Sequence, residues 1–448
     1  MRHIFLASII CFLSFLSYSQ EFEVDTLQFN GNTDTLINVV ILGDGYTEAQ
    51  LDQFAKDAQK AASSLFEESP FTNYQNYFNV FMIKVPSNVS GAADDPDELI
   101  DNYYGSTYNA YYNIQRLLVP MRSAKITNVL ANNFPNYDEV VMIVNDKRYG
   151  GSGGWVATYS THNSAIEIFL HELGHSFARL SDEYWAGDQY AQEAINMTQQ
   201  TNTDILKWKN WLNYKEVGLY PHSESPTWYR PHQNCKMRYL GKDFCSVCSE
   251  GIIEKIHSKV SPLLSYSPKT TTLTPEGFPL SFRVRLIAPN PNSLKIEWRL
   301  NETLIGQKGE TISIESADLN SGTNLLNVAI TDTTHLLRID NHHTIHVSTV
   351  QWDIKNTNTS IDNLLASSKI DIAIFPNPVQ DILTINYKGN SPRKLKVEIL
   401  DNMGRKQLSK NFNRQKAQLN ISHLEKGIYV VRILSDNSIL TAQKIVKT

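Results

Sequence analysis

Two histidines and a glutamate lie close together in the sequence, in an order that is typical of a catalytic metal site. His171, Glu172 and His175 form the pattern HExxH. On a helix, residues four apart lie one turn above each other, so both imidazoles can bind one metal ion. Glu172 is then placed to contact a metal-bound water rather than the metal. The pattern predicts a catalytic metal centre with Glu172 as general base, and we prefer this to a chance match.

The segment that carries these residues has the features of a helix. Ser164 and Glu167 match the S-x-x-E capping box, which predicts that the helix begins there. Apolar residues recur at helical spacing through the segment: Ile166, Phe169, Leu170, Leu173, Phe177 and Leu180. We therefore expect one amphipathic helix, with His171 and His175 on its otherwise buried face.

A catalytic zinc site typically has three protein ligands and one open position, so a third ligand is needed. The acidic pair Asp182 and Glu183 follows His175 closely. A continuous helix would place Asp182 about 10 Å beyond His175, out of reach of the same ion. The helix must therefore end after about Leu180, and the chain must turn back. Asp182 is the preferred third ligand because its short carboxylate fits more tightly after a turn, and Glu183 is the alternative.

The length, the net charge and the first residues of the chain limit its domain number, its partners and its location. The chain has 448 residues, which is enough for about three domains. Its net charge of -5 and pI near 6.2 leave no electrostatic footprint for nucleic acid or an anionic membrane. Residues 1–19 match a secretory signal peptide, since Arg2 and His3 precede an apolar run. No later run is long enough to span a membrane, so we expect an exported protein without an integral membrane segment.

Three cysteines remain after the signal peptide, and they lie in one short segment. They are Cys235, Cys245 and Cys248. An odd number of cysteines cannot pair completely within one molecule. Either one disulfide forms and leaves a free thiol, or the cluster binds a second metal ion with a fourth ligand such as His232. The two alternatives are about equally supported.

Hydrophobic periodicity divides the chain into three folded parts. Buried-strand runs at residues 37–42, 78–85 and 139–144, with a helix that begins at a Thr47/Gln50 capping box, predict an α/β (α+β) domain over residues 20–265. Short β-type runs at residues 282–287, 294–300, 311–314, 325–330 and 344–350 predict an immunoglobulin-like β-sandwich over residues 270–352. Residues 370–448 form a second all-β module, preceded by a polar linker at residues 356–360.

The first half of the chain resembles the IgA-specific metallopeptidase family of metzincin-like zinc peptidases. The motifs HELGHSFARLSDEY, ILGDGYT, SGAADDP, CKMRY and FCSVC carry the resemblance, which covers residues 37–250. It implies Zn²⁺ as cofactor, a peptide or protein substrate, and a methionine turn beneath the metal at Met237. In the astacin branch a tyrosine two residues further on assists at zinc, which makes Tyr239 a candidate oxyanion stabiliser. The CxM…CxxC pattern is also similar to the second zinc site of archaemetzincins.

The chain departs from the metzincin pattern at two positions. Ala178 stands where a glycine usually permits the sharp turn after the helix, and Ser181 stands where the third ligand usually lies. The IgA peptidase family is similar to this chain in carrying the acidic pair here. A thermolysin-like arrangement, in which Glu193 from a following helix is the third ligand, is the alternative.

The C-terminal segment resembles the sorting domain of type IX secretion cargo. FPNPVQDILTI, LDNMGRK and KGIYVVRI carry this resemblance. It implies the type IX machinery as a partner, export across the outer membrane to the cell surface or medium, and removal of the domain afterwards. KIEWRLNETLIG in the preceding module resembles the tryptophan-bearing strand of immunoglobulin-like domains.

Together these features predict a secreted zinc-dependent endopeptidase with no nucleic-acid partner. The competing hypothesis is a surface-binding or adhesin-like protein in which the metal site is structural or vestigial. Glu172 discriminates between them, because a purely structural zinc site has no need of a general base.

Overall fold

A computed structural model describes residues 21–111, 114–307, 309–356, 371–388, 395–401, 404–412, 416–435 and 438–448. The predicted signal peptide and most of the predicted linker therefore lie outside the described residues. The chain divides into two compact units. One contains the described residues up to Gln28 with Asn38–Lys60 and Val80–Ala165, and the other contains Phe29–Ile37, Ala61–Asn79 and Ile166–Thr448.

A six-stranded sheet dominates the N-terminal part of the chain. The strands there are β1 (Glu23–Gln28), β2 (Ile37–Asp44), β3 (Phe78–Lys84), β4 (Ser106–Thr107), β5 (Val119–Pro120), β6 (Glu139–Val144), β7 (Gly151–Ser152) and β8 (Ala157–Ser160). The sheet order is β1-β3-β2-β6-β8-β7, and β4 and β5 pair separately. Strands β2, β6 and β8 run parallel, which explains why the first two are buried along their whole length. The three predicted strand runs of this part match β2, β3 and β6.

Two helices accompany this sheet, α1 (Leu51–Leu65) and α2 (Ser123–Asn133). The predicted capping box is present before α1, where the Thr47 amide donates to Gln50 Oε1 over 3.0 Å. The first unit has a core formed by apolar residues of β2 and β6 together with Ile126, Val129 and Leu130 of α2. A sheet with helices is thus the observed architecture of the predicted α/β part.

After the strands of the six-stranded sheet, the chain forms two long helices and a short antiparallel pair of strands between them. These are α3 (Ala165–Ala178), β9 (Tyr220–Pro221), β10 (Tyr229–Arg230) and α4 (Ser246–Lys259). Helix α3 carries the HExxH pattern, and α4 begins within the cysteine cluster. No helix among the described residues is long and apolar enough to cross a membrane.

An eight-stranded β-sandwich follows. Its elements are β11 (Leu263–Ser267), β12 (Thr272–Leu273), β13 (Leu280–Leu286), β14 (Leu294–Leu300), β15 (Thr303–Gln307), β16 (Thr311–Ile314), β17 (Gly322–Asp332), α5 (His342–Ile345) and β18 (Ser348–Asn356). Sheets β11-β13-β16 and β12-β18-β17-β14-β15 enclose a core in which Trp298 stacks on Trp352 at 5.9 Å between ring centroids. Strand β11 already pairs with β13, so the sandwich begins a few residues before the predicted start at residue 270.

One predicted strand of the sandwich is partly wrong. The run at residues 344–350 begins in the single turn of α5, and β18 starts only at Ser348. The turn brings His342 and His346, four residues apart, to one carboxylate: Glu254 of α4 lies 2.6 Å from His342 Nδ1 and 2.9 Å from His346 Nε2. This tertiary contact outweighs the local preference of the segment for strand.

The C-terminal segment is all-β, as predicted. Its strands are β19 (Asp371–Phe375), β20 (Ile382–Lys388), β21 (Leu395–Leu400), β22 (Lys406–Phe412), β23 (Lys416–Asn420), β24 (Gly427–Ser435) and β25 (Ser438–Lys447). They form the sheets β19-β20-β23 and β22-β21-β24-β25. Alternate residues such as Val397, Ile399, Val431 and Ile433 point into a common core.

Candidate active site

Helix α3 is held firmly in the interior of the second unit. It is buried on most of its circumference, rather than on one face as its amphipathic pattern predicted. The Phe177 ring lies 6.0 Å from that of Phe71 and 5.9 Å from that of Phe78. Glu167, which was predicted to cap the helix, accepts hydrogen bonds at Oε2 from Lys236 Nζ (2.7 Å) and the Gly241 amide (2.9 Å). The helix therefore presents its polar residues from a rigid, largely enclosed support.

The chain turns sharply after α3, close to Leu180, where the sequence predicted that the helix ends. The helix ends at Ala178, and Arg179 adopts the left-handed conformation with φ of 58°. The Leu180 amide then reaches back to the Gly174 carbonyl over 3.1 Å. The residue that makes the turn is Arg179 rather than Ala178, so no glycine is needed at Ala178.

Three ligand-type atoms meet at the end of this turn. His171 Nε2 and His175 Nε2 lie 3.2 Å apart, and Asp182 Oδ1 lies 3.1 Å from the first and 3.2 Å from the second. The three atoms form a nearly equilateral triangle. Around a tetrahedral ion with bonds of about 2.0–2.1 Å, ligand atoms lie about 3.3–3.4 Å apart. The triangle therefore fits a small divalent ion closely.

The outer nitrogen of each imidazole is fixed by the main chain. His171 Nδ1 lies 3.0 Å from the Lys236 carbonyl, and His175 Nδ1 lies 2.7 Å from the Leu180 carbonyl. A carbonyl can only accept a hydrogen bond, so both Nδ1 atoms carry the proton. In the neutral form of each ring, Nε2 then presents a lone pair to the triangle, which is the tautomer that a metal ligand requires.

The electrostatics of the triangle favour positive charge. Burial lowers the pKa of His175, but the Asp182 carboxylate outweighs this effect and raises that pKa to about 9. Burial likewise raises the pKa of Asp182, and the two imidazoles more than reverse it, so this pKa lies well below its usual value. The site stabilises a carboxylate and attracts a cation, whether a proton or a metal ion.

Glu172 lies beside the triangle, as the HExxH pattern predicted. One of its carboxylate oxygens lies within 4.8 Å of ligand nitrogens of His171 and His175. Its side chain is half-buried, whereas His171 is almost fully buried. The carboxylate is therefore near enough to serve a water molecule or substrate held between itself and the ligand triangle.

The segment from Cys235 to Tyr239 packs against helix α3 and the chain that follows it. Met237 is fully buried, and a Cβ added to Gly174 would lie 2.7 Å from its Sδ atom. The Met237 carbonyl accepts a hydrogen bond from the Glu183 amide over 2.8 Å. Tyr239 is 47% exposed, and its ring lies 4.8 Å from the Arg238 guanidinium. The structure places Met237 against helix α3, whereas the Tyr239 side chain is largely exposed.

The predicted alternatives for the third ligand lie elsewhere. Glu193 forms an ion pair with Lys207 and accepts a hydrogen bond from the Gln199 amide over 2.8 Å. It is not on a helix, contrary to the thermolysin-like alternative. Glu183 is fully buried and points to the cysteines, with its Oε1 atom 3.1 Å from Cys248 Sγ. Of the three acids, only Asp182 completes the histidine pair.

The three cysteines come together without forming a disulfide. Cys235 Sγ and Cys248 Sγ are 3.7 Å apart, and all three thiols are free. His232 does not belong to their cluster, because its ring nitrogens contact the Lys215 carbonyl (3.2 Å) and the Asn234 amide (2.9 Å). The fourth ligand-type group beside the sulfurs is Glu183.

Two contributors to the site were not found from the sequence. Lys236 acts through its main-chain carbonyl on His171, and its own ammonium group is buried between Glu167 (2.7 Å) and Glu68 (3.4 Å). Tyr184 lies with its ring nearly parallel to that of His171, at 6.3 Å between centroids. Main-chain roles leave no signal in residue types, but Tyr184 directly follows the acidic pair and could have been considered.

The sequence matches two family models, one of a peptidase and one of a secretion sorting domain. Residues 26–221 match the model described as IgA Peptidase M64, and residues 373–448 match the secretion system C-terminal sorting domain. The N-terminal part is thus similar to M64 peptidases, and the C-terminal part matches a type IX sorting domain. The protein is accordingly directed by type IX secretion to the cell surface or the extracellular space. The cysteine cluster lies beyond the matched peptidase residues.

Several solved structures align with part of this chain at low sequence identity. Dimeric latent PorU from Porphyromonas gingivalis is 14% identical with a TM-score of 0.18, and the alignment covers 42% of this chain and 20% of PorU. Bacteroides uniformis β-glucuronidase 3 is 13% identical with a TM-score of 0.16, covering 50% of this chain and 28% of that one. Fibronectin(III)-like modules of Clostridium thermocellum CbhA are 12% identical with a TM-score of 0.14, covering 41% and 92%. No curated protein sequence matches the chain closely enough to add to these findings.

Proposed function

We propose that this protein is a secreted zinc-dependent endopeptidase in which His171, His175 and Asp182 hold the metal. The observation that carries the proposal is the ligand triangle with its 3.1–3.2 Å edges. Its two nitrogens present lone pairs and its carboxylate oxygen is buried, so three electron-rich atoms converge at one point. Without a cation between them such atoms repel one another, and nitrogen and oxygen ligands of this kind suit zinc.

Glu172 is the proposed general base. Bound zinc would acidify a water molecule and polarise the scissile carbonyl group. The Glu172 carboxylate takes the proton from the attacking water and then passes it to the nitrogen of the leaving amine. His171 and His175 do not take this role, because their Nδ1 atoms donate to main-chain carbonyls and their Nε2 lone pairs are the proposed metal ligands. Glu172 is the acid beside the triangle that is not a proposed ligand.

The geometry around Met237 supports a metzincin-like peptidase fold. The methionine lies directly beneath α3 at Gly174, one residue before the second histidine. Tyr239 remains a proposed oxyanion stabiliser, although its exposed side chain would have to turn toward the substrate. Tyr184 is a second candidate for this role because its ring already lies beside His171.

Cleavage of a diverse peptide library, followed by metal analysis, tests the proposed function. We expect bonds within peptides to be cut, the activity to disappear after chelation, and stoichiometric Zn²⁺ to restore it. Cleavage by the metal-free protein would contradict a metal-dependent mechanism. If the zinc-loaded protein cut no peptide in the library, the surface-binding hypothesis would replace the enzyme.

A further inference from the structure

A second group of ligand-type side chains includes Glu183, the residue that directly follows Asp182. The Glu183 carboxylate, next to Asp182, faces Cys235, Cys245 and Cys248. Its Oε1 atom lies 3.1 Å from Cys248 Sγ and 3.9 Å from Cys245 Sγ. Cys235 Sγ and Cys248 Sγ are 3.7 Å apart. The four side chains are between 0% and 7% exposed, so the group is closed to solvent.

These distances match a tetrahedral metal site. Zinc–sulfur bonds of about 2.3 Å place two sulfurs about 3.8 Å apart, and a sulfur and a carboxylate oxygen about 3.5 Å apart. The observed sulfur–sulfur distance of 3.7 Å and the sulfur–oxygen distances of 3.1 and 3.9 Å lie around these values. A disulfide would require the two sulfurs to be about 2.0 Å apart.

Hydrogen bonding alone accounts poorly for the buried carboxylate. Glu183 Oε1 accepts hydrogen bonds from Asn196 Nδ2 (3.2 Å) and the Cys248 thiol (3.1 Å), but its Oε2 atom has no hydrogen-bond partner in the described residues. A fully buried carboxyl group with an unsatisfied oxygen is costly, whether it is charged or neutral. Three free thiols are also unusual in an exported protein, because exported proteins fold and function in an oxidising environment. A bound cation would resolve both difficulties.

We propose that Glu183, Cys235, Cys245 and Cys248 bind a second, structural zinc ion. Thiolates select zinc among the common divalent ions, and a four-ligand site with no open position is typical of a structural role. Cys245 is the N-cap residue of α4 and Cys248 lies in its first turn, where the helix dipole stabilises negative sulfur. The proposal stands independently of catalysis at the histidine site.

The second ion would fix both segments that shape the catalytic site. Glu183 is adjacent to Asp182, and its amide is bonded to the Met237 carbonyl. Cys235 is adjacent to Lys236, whose carbonyl holds His171. A metal ion at this second site would therefore connect the segments of Asp182 and Lys236 to the start of α4. We expect its loss to weaken zinc binding at the histidine site by about 10- to 100-fold, as is usual when groups that orient ligands are removed.

Metal content and the absorption spectrum of the cobalt-substituted full chain test this site. We expect two metal equivalents per chain and the near-ultraviolet charge-transfer band of thiolate-bound cobalt. The band should survive His175→Ala with one equivalent lost, and it should disappear in Cys248→Ser. Glu183→Gln should lower the affinity for the second metal ion while the fold persists. His232→Ala is the matched control and should keep both equivalents.

Other outcomes would overturn the proposal. A wild-type chain with one equivalent and no charge-transfer band has no thiolate metal site. An intact mass lower by two hydrogens, with a mapped disulfide, would assign the cysteines to redox pairing instead. A band that survived Cys248→Ser but vanished in His232→Ala would restore His232 as the ligand. Because His175→Ala reports on the histidine site separately, failure of the second site is distinguishable from failure of the proposed peptidase mechanism.

Discussion

The two ligand clusters that begin at adjacent residues, Asp182 and Glu183, differ in the donors they offer and in their access to solvent. The first has nitrogen and oxygen donors, and the side chains of His175 and Asp182 are each 19% exposed. The second has sulfur and oxygen donors, and Glu183 and Cys248 are 0% exposed. An open three-ligand site leaves room for water and substrate, whereas a closed four-ligand site can only hold structure together. Access to solvent, more than ligand type, would then distinguish the proposed catalytic site from the proposed structural site.

The largest expected effect comes from removing the Asp182 carboxylate from the three-ligand site. Asp182→Ala removes one corner of the ligand triangle, so the chain should lose the catalytic zinc equivalent and its peptidase activity while keeping the thiolate equivalent. Glu193→Ala is the control, because Glu193 pairs with Lys207, the Thr198 hydroxyl and the Gln199 amide rather than with the two histidines. Metal analysis of the two purified variants decides the ligand. Loss of zinc in Glu193→Ala alone would support the thermolysin-like alternative.

A smaller effect is expected from removing a phenol at the open site. Loss of one donor to a developing oxyanion typically lowers turnover about a hundredfold or more. Tyr239→Phe should therefore reduce kcat with little change in KM and with zinc content unchanged. Tyr184→Phe is the matched comparison, since Tyr184 lies beside His171 and Tyr239 is exposed. If kcat is unchanged in Tyr239→Phe and falls in Tyr184→Phe, the role belongs to Tyr184.

The smallest effect concerns a buried carboxylate that belongs to neither cluster. Burial raises the pKa of Glu254, but hydrogen bonds from His342 and His346 outweigh this and lower it from 4.5 to about 2. This stabilisation is present above pH 4.5 and is lost as pH falls toward 2. Glu254→Gln should lower the free energy of unfolding by about 1–3 kcal/mol at pH 6, and the difference from wild type should shrink in acid.

Denaturation of both chains between pH 6 and pH 2.5, with metal content measured in parallel, tests this contribution. The metal content of Glu254→Gln should equal that of wild type at pH 6, which separates acid unfolding from metal loss. A constant difference in stability across the whole range would show that the carboxylate does not titrate as proposed.

The sequence was most informative where local pattern and chemistry coincide. The HExxH spacing located the helix and three site residues, and the limited reach of Asp182 on a continuous helix required the turn that Arg179 makes. The choice between Asp182 and Glu183 depended on that turn. The burial of Glu183 among the cysteines was not predictable, because it requires the approach of a segment some fifty residues away. The strand predicted at residues 344–350 failed for a similar reason, since Glu254 binds two histidines of that segment.

Glu172→Gln tests whether Glu172 is the general base, because the amide preserves the shape of the side chain and removes the base. We predict that this variant binds as much zinc as the wild type and keeps the charge-transfer band when cobalt replaces zinc. Its kcat for peptide hydrolysis should fall by at least about a hundredfold. Zinc content and turnover on the same cleaved peptide are to be measured on one preparation. Full zinc occupancy with near-wild-type turnover would contradict the role of Glu172 as general base.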